Sequence, residues 1–174
     1  GQKAGANRVS ATVSIGGTPT SLTFDATGTA DVPAHVNYLT TDPEVDNTAD
    51  PRSATVDTSV SPNPEVVVTD QFDNLVPDAS VTFAVTTGVS YPGQGSLDDA
   101  GDPASSVTVT TGSDGQAHAV WTLGQKAGAN RVSATVSIGG TPTSLTFDAT
   151  GTADVPAHVN YLDRKSTRLN SSHT

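Results

Sequence analysis

One stretch, GQKAGANRVSATVSIGGTPTSLTFDATGTADVPAHVNYL, occurs twice in this chain without a single substitution, at residues 1–39 and again at residues 124–162. The offset from Gly1 to Gly124 is too long for a solenoid unit and right for one whole small domain. The chain therefore reads as a window from a tandem array with room for one complete unit. Residues 1–32 are expected to be the closing strands of a preceding, truncated repeat and residues 33–153 the complete domain. Residues 154–162 would be the linker and first strand of a next repeat.

The last twelve residues, DRKSTRLNSSHT, break the periodicity. Thr40 follows the first copy and Asp163 the second, and charge and hydrophobic pattern change together at that point. Back-translation of this tail gives a string resembling a sequencing adapter read in frame. Residues 163–174 are therefore expected to be adapter-derived, with a basic disordered arm as the competing reading. Resequencing the locus decides between them.

Between the copies, short alternating runs are separated by turn signals, and no helical period appears. Val36 and Tyr38 share one face, as do Val66 and Val68. Ala79, Val81, Phe83 and Val85 alternate with Ser80, Thr82 and Ala84. Val107 and Val109 form a further strand, which a turn at residues 112–115 returns as Ala117, Ala119, Trp121 and Leu123 on one face. Val132, Ala134 and Val136 follow, then Leu145 and Phe147. Residues 40–52, with four acids and two prolines, are expected as a solvated loop. Residues 53–56 are expected as a short edge piece. Residues 88–106, punctuated by Gly, Pro and Asp, are expected to carry only a short strand near Ser96 and Leu97. The fold class that follows is all-β, an antiparallel β-sandwich.

Only 34% of residues are hydrophobic, which suits thin β-domains better than helical packing. The formal charge is −10, and the tail holds three of the eight basic groups, so the rest of the chain is more acidic still. Such a surface disfavours nucleic acid and anionic membranes. The longest aliphatic run, Val66 to Val68, is far short of a membrane span, so no direct membrane insertion is expected. With no cysteine there is neither a disulfide nor a thiolate metal site.

Candidate chemistry is sparse. His35 and His118 fall on solvent sides of alternating strands, where two imidazoles without a third ligand do not make a metal site. No G-x-S-x-G elbow and no phosphate-cradling glycine loop occurs. Asp70, Asp73, Asp78, Asp98, Asp99, Asp102 and Asp114 lie in turns, and carboxylate oxygens are what Ca²⁺ requires, but Asp is also the default residue of tight turns and no EF-hand loop is present. Trp121 shares its face with Ala117, Ala119 and Leu123 and is expected in the core, not as a carbohydrate platform. Tyr91 and Phe72, both in expected loops, are the aromatic candidates for contact with a partner.

In order, VVVTDQFDNLVPDASVTFAV, VTTGSDGQAHAVWTLGQKAGANRVSATV and LTFDATGTA resemble the bacterial immunoglobulin-like repeats of the invasin and intimin type, the Big-1 class, over about residues 53–153. Two positions depart from that pattern, Asp73 where Gly is frequent and Gly112 where Asp is frequent. The resemblance implies an immunoglobulin-like sandwich in a tandem array, extracellular at the cell surface or secreted. It implies a non-catalytic stalk or spacer of an adhesin-like protein, with neighbouring repeats as partners; no cofactor is expected other than Ca²⁺, for which Asp70, Asp73, Asp98, Asp99, Asp102 and Asp114 are the candidate ligands. The alternatives are a module whose loops bind a host or matrix glycan or protein, and an accessory domain of a secreted enzyme.

Both copies of the duplicated stretch can in principle close the sandwich made by residues 34–123. The unbroken Leu123-Gly124 connection favours the second, because closing a short loop costs less entropy than folding back a distant arm. The first copy is then expected to be a strand pair exposing Val9, Val13, Leu22 and Phe24.

Overall fold

The computed structural model describes residues 3–39, 52–99 and 101–158. The expected acidic loop up to residue 51, the strand expected at the end of residues 154–162 and the tail at residues 163–174 lie outside the described residues, wholly or for the most part. The described residues form strands and no helix. In chain order these are β1 (Gly5–Ile15), β2 (Thr18–Gly28), β3 (His35–Tyr38), β4 (Arg52–Thr55), β5 (Glu65–Thr69), β6 (Ser80–Val85), β7 (Ser96–Asp99), β8 (Asp102–Ala104), β9 (Ser106–Thr110), β10 (Gln116–His118), β11 (Trp121–Thr122), β12 (Gly128–Ile138) and β13 (Thr141–Thr152).

Two layers face each other. One is a sheet in the order β4-β13-β12-β6-β9. The other is built from β10-β5-β3 and β11-β7-β8, which join because β10 and β11 are successive pieces of one strand path. Along that path the Ala119 amide donates to the Pro64 carbonyl, the Val60 amide to that of Trp121 and the Leu123 amide to that of Thr58. On its other side the Asp98 amide donates to Val120.

Period-two alternation decides what fills the space between the layers. Val66, Val68, Ala117, Ala119, Trp121, Leu123 and Leu97 point inward from one layer, and Val81, Phe83, Val132, Ala134, Val136, Phe147 and Ala149 from the other. Each of the large side chains Trp121, Phe83 and Phe147 is fully buried, worth about 1.5–3 kcal/mol apiece. Val85, Val107, Val109 and Leu145 are partly buried at the margin of this core. Tyr38 ties the layers together. Its ring meets Phe147 edge-on, with centroids 5.2 Å apart, and its hydroxyl donates to the Thr146 carbonyl at 3.0 Å.

Two details differ from the sequence expectation. The sheets are antiparallel except at β4, which lies parallel to β13 with Arg52 opposite Ala149 and Thr55 opposite Thr152. A parallel neighbour needs a crossover from elsewhere, and the chain between β3 and β4 is long enough to bring β4 to the outer edge of β13. Within residues 88–106 there is more than one short strand. β7 turns back as β8, with Leu97 opposite Ala104, and β9 begins at Ser106. Leu97, the one large apolar side chain of β7 and β8, anchors that hairpin beside Trp121.

The duplicated stretch forms the same hairpin both times. In β1–β2 Val9 pairs with Phe24 and Ile15 with Thr18. In β12–β13 Val132 pairs with Phe147 and Ile138 with Thr141. The turns are Gly16-Gly17 and Gly139-Gly140, all four with positive φ, as a two-residue type I′ connection demands. The surroundings differ. β12 also pairs with β6 and packs on the core, whereas β1 and β2 pair only with each other among the described residues. Val9, Val13, Leu22 and Phe24 stand exposed there.

The path from Leu123 into β12 is closely fitted. A methyl group on Gly124 would overlap the Gly93 carbonyl oxygen, and one on Gly95 would overlap that of Thr122. Glycine lets the two backbones pass.

Candidate functional site

The most elaborate polar cluster among the described residues surrounds Asp70, in the loop between β5 and β6. Asp70 ends an inward-facing run and is 1% exposed. Its Oδ1 accepts from the amides of Phe72 (2.8 Å) and Asn74 (2.9 Å). Its Oδ2 accepts from the Asn74 side-chain amide (2.9 Å) and from the Asp31 backbone amide (3.0 Å). These four donors occupy the acceptor directions of an ionised carboxylate. Removal from water by itself raises the Asp70 pKa, but the bonds from Asn74, Asp31 and Phe72 outweigh it and hold the carboxyl well below the usual carboxylate range.

The loop is a short-range device of the sequence. Asp70 and Asn74 bracket a tight turn in which the Asp70 amide donates to the Asn74 carbonyl and the Asp73 amide to that of Asp70. Asp73 sits at φ 60, in the left-handed region that Asp enters at modest cost. That conformation is the reason a Gly or Asp suits this position. The turn at residues 112–115 lies alongside, where the Val68 amide donates to the Gly115 carbonyl.

The same loop receives the base of the first hairpin. The Ala4 amide donates to Asn74 Oδ1 at 2.8 Å and Lys3 Nζ donates to the Phe72 carbonyl at 2.8 Å. The Gln71 side-chain amide donates to Asp31 Oδ2 at 3.2 Å. Beside this junction, residues 29–33 and 76–79 line an open cleft of about 380 Å³.

The other acids are placed differently. Asp73, Asp78, Asp98, Asp102 and Asp114 are exposed. Asp98 and Asp114 close their own turns, accepting from the Gly101 amide (2.6 Å) and the Gln116 amide (3.1 Å) respectively. Asp99 and Asp102 are register partners where β7 turns into β8. Asp70, Asp73 and Asp114 thus share one end of the sandwich, while Asp98, Asp99 and Asp102 belong to the β7–β8 hairpin. Among the described residues no group of three or more His, Asp or Glu side chains is gathered as a metal site.

His35 and His118 are exposed. Trp121 is wholly buried, and its indole N–H meets no acceptor among the described residues. Phe72 is half-buried, and Tyr91 is half-buried beneath the Arg131 guanidinium, 4.9 Å from the ring centroid. Arg131 in turn donates twice to Asp148, at 2.6 and 2.7 Å. Asn130, fully buried with Oδ1 unpaired among the described residues, was not foreseen from the sequence. Its signal is a polar residue at an inward step of the β12 alternation.

No helix among the described residues is long and apolar enough to cross a membrane. No protein-family model matches the chain, and no curated protein matches it in sequence. Among solved structures the chain is similar to the adhesin InvE of Yersinia pseudotuberculosis, with a TM-score of 0.46 and 13% identity. The similarity covers 85% of this chain and 49% of that one, so the chain spans about half the length of that adhesin.

Proposed function

We propose that this chain is a segment of a tandem array of immunoglobulin-like sandwiches of the invasin and intimin type. Each unit acts as a non-catalytic spacer in an adhesin-like protein at a bacterial surface or in its surroundings. In this reading residues 1–32 close a preceding unit, residues 33–153 are one complete unit, and residues 154–162 lead into the next. The observation that carries it is the duplicated hairpin. One copy, β12–β13, completes a core, while the identical β1–β2 presents the same apolar face with nothing packed on it among the described residues. A sequence selected to seal a sandwich is economically explained if each copy seals its own.

The polar end fits a spacer in that Asp70 serves its own loop and the junction with the preceding unit, and Asp114 closes its own turn. The test has two arms. Chains of one, two and three repeats should lengthen in X-ray scattering by about 40 Å per repeat, the span of a twelve-residue strand such as β13. The chain should also bind nothing on arrays of glycans and matrix proteins. A specific hit, or a maximum dimension that does not grow with repeat number, overturns the spacer reading.

A further inference from the structure

The chain carries the same residues in two settings, and the difference between the settings marks a surface. At the base of β1–β2, Ala4 and Asp31 give their backbone amides to Asn74 and Asp70, and Lys3 gives its ammonium to the Phe72 carbonyl. Ala30, Pro33 and Ala34 are partly buried there. At the base of β12–β13 their counterparts Ala153, Pro156 and Ala157 are exposed, while Lys126, Ala127 and Asp154 are exposed just as Lys3, Ala4 and Asp31 are. The local geometry is nevertheless the same. Asp31 Oδ1 accepts from the Val32 amide at 2.8 Å, and Asp154 Oδ1 from the Val155 amide at 2.7 Å. The open ends of both hairpins close on the same pair, Gly5 with Gly28 and Gly128 with Gly151.

We infer that Lys126, Ala127 and Asp154 form a docking face for the Asp70–Asn74 loop of a following copy of this repeat, so that consecutive sandwiches are clasped rather than loosely tethered. This rests on the tandem reading above and adds its partner and its contacts. Donors and acceptors match. The face offers two backbone amides and one ammonium, and the loop offers a carboxamide oxygen, a carboxylate oxygen and a carbonyl. The receptor is built in advance, because Asp70 is fixed by three donors from its own loop, at Phe72 and Asn74, leaving one acceptor direction for the incoming amide. Two anchor points on opposite strands of the hairpin base resist rotation in a way that a single linker does not.

Identical flanking residues give Ala4 and Ala127, and likewise Asp31 and Asp154, matched intrinsic rates of amide exchange, so a difference within a pair reports the surroundings, and slower exchange at the base of the hairpin that lacks core packing reports docking. Hydrogen exchange followed by NMR on the full chain should show Ala4 and Asp31 slower than their counterparts by about tenfold or more. In a chain extended by one further complete repeat, Ala127 and Asp154 should slow to match Ala4 and Asp31. Asn74→Ala should return Ala4 to the rate of Ala127 while Val132 and Trp121 amides stay protected. If that variant does not fold, the comparison of the wild-type pairs and the extended chain still decides. Equal rates within the wild-type pairs, or fast exchange at Ala127 and Asp154 in the extended chain, overturn the clasp. Either result leaves the spacer reading standing on its own scattering and binding tests.

Discussion

Phe24 and Phe147 occupy the same place in identical sequences, and truncating each to alanine separates local structure from packing. Phe147 is fully buried, meets Tyr38 edge-on and lies beneath the Arg52 guanidinium at 5.4 Å. Phe147→Ala removes the ring and leaves a cavity bounded by a sheet that relaxes little, a cost of about 3–5 kcal/mol. Phe24 is 59% exposed, with Val9 opposite it. Phe24→Ala loses only a cross-strand contact, about 0.5 kcal/mol. Trp121 is the only tryptophan of the chain and sits in the core that Phe147 seals, so its fluorescence in urea reports that core. With a slope of about 1.5 kcal/mol per molar, Phe147→Ala should lower the midpoint by about 2.5 M and Phe24→Ala by less than about 0.4 M. The double variant should match Phe147→Ala, because the sites share no partner. A comparable loss from Phe24→Ala, or a double variant far weaker than the sum, would show that the first hairpin takes the place of the second and would refute the assignment.

Other outcomes follow from the same geometry. The folded pKa of Asp70 lies below its unfolded value of about 3.9, so its stabilisation is complete above about pH 4 and is lost as pH falls through the folded value. In acid titrations followed by Trp121 fluorescence, Asp70→Asn should therefore flatten the decline in stability below about pH 4, and parallel declines would contradict this. Gly140→Ala places a side chain at φ 82 and should cost about 1 kcal/mol in the Trp121 transition, while Gly17→Ala at φ 84 should leave that transition unchanged. Tyr38→Phe should cost about 1 kcal/mol by removing the hydroxyl that bridges to Thr146, measured by the same denaturation.

The junction at Asp70 was only half legible in the sequence. Its carboxylate stood out as an acid in a turn, and the four-residue spacing to Asn74 is the mark of a side chain folding back on its own loop. That the same oxygen also holds the Asp31 amide depends on a contact across 39 residues, and no local pattern carries it.

By itself the sequence determined the hairpins. Alternation and a Gly-Gly turn produce the same register in β1–β2 and β12–β13, whether the face is packed or bare, because turn geometry and cross-strand pairing act within a few residues. The inward faces around Val66, Phe83 and Trp121 were legible for the same reason, as was the absence of any helical period. Which phenylalanine is buried is not set by local sequence, since Phe24 and Phe147 have indistinguishable neighbours; the unbroken Leu123-Gly124 connection pointed to the second copy, and β6, β4 and Tyr38 around that hairpin are what bury Phe147. Tertiary structure alone decided that β4 runs parallel to β13 and that β7 and β8 fold back over Leu97 beside Trp121. Those outcomes rest on which distant surfaces meet, and burial energy is set by that meeting.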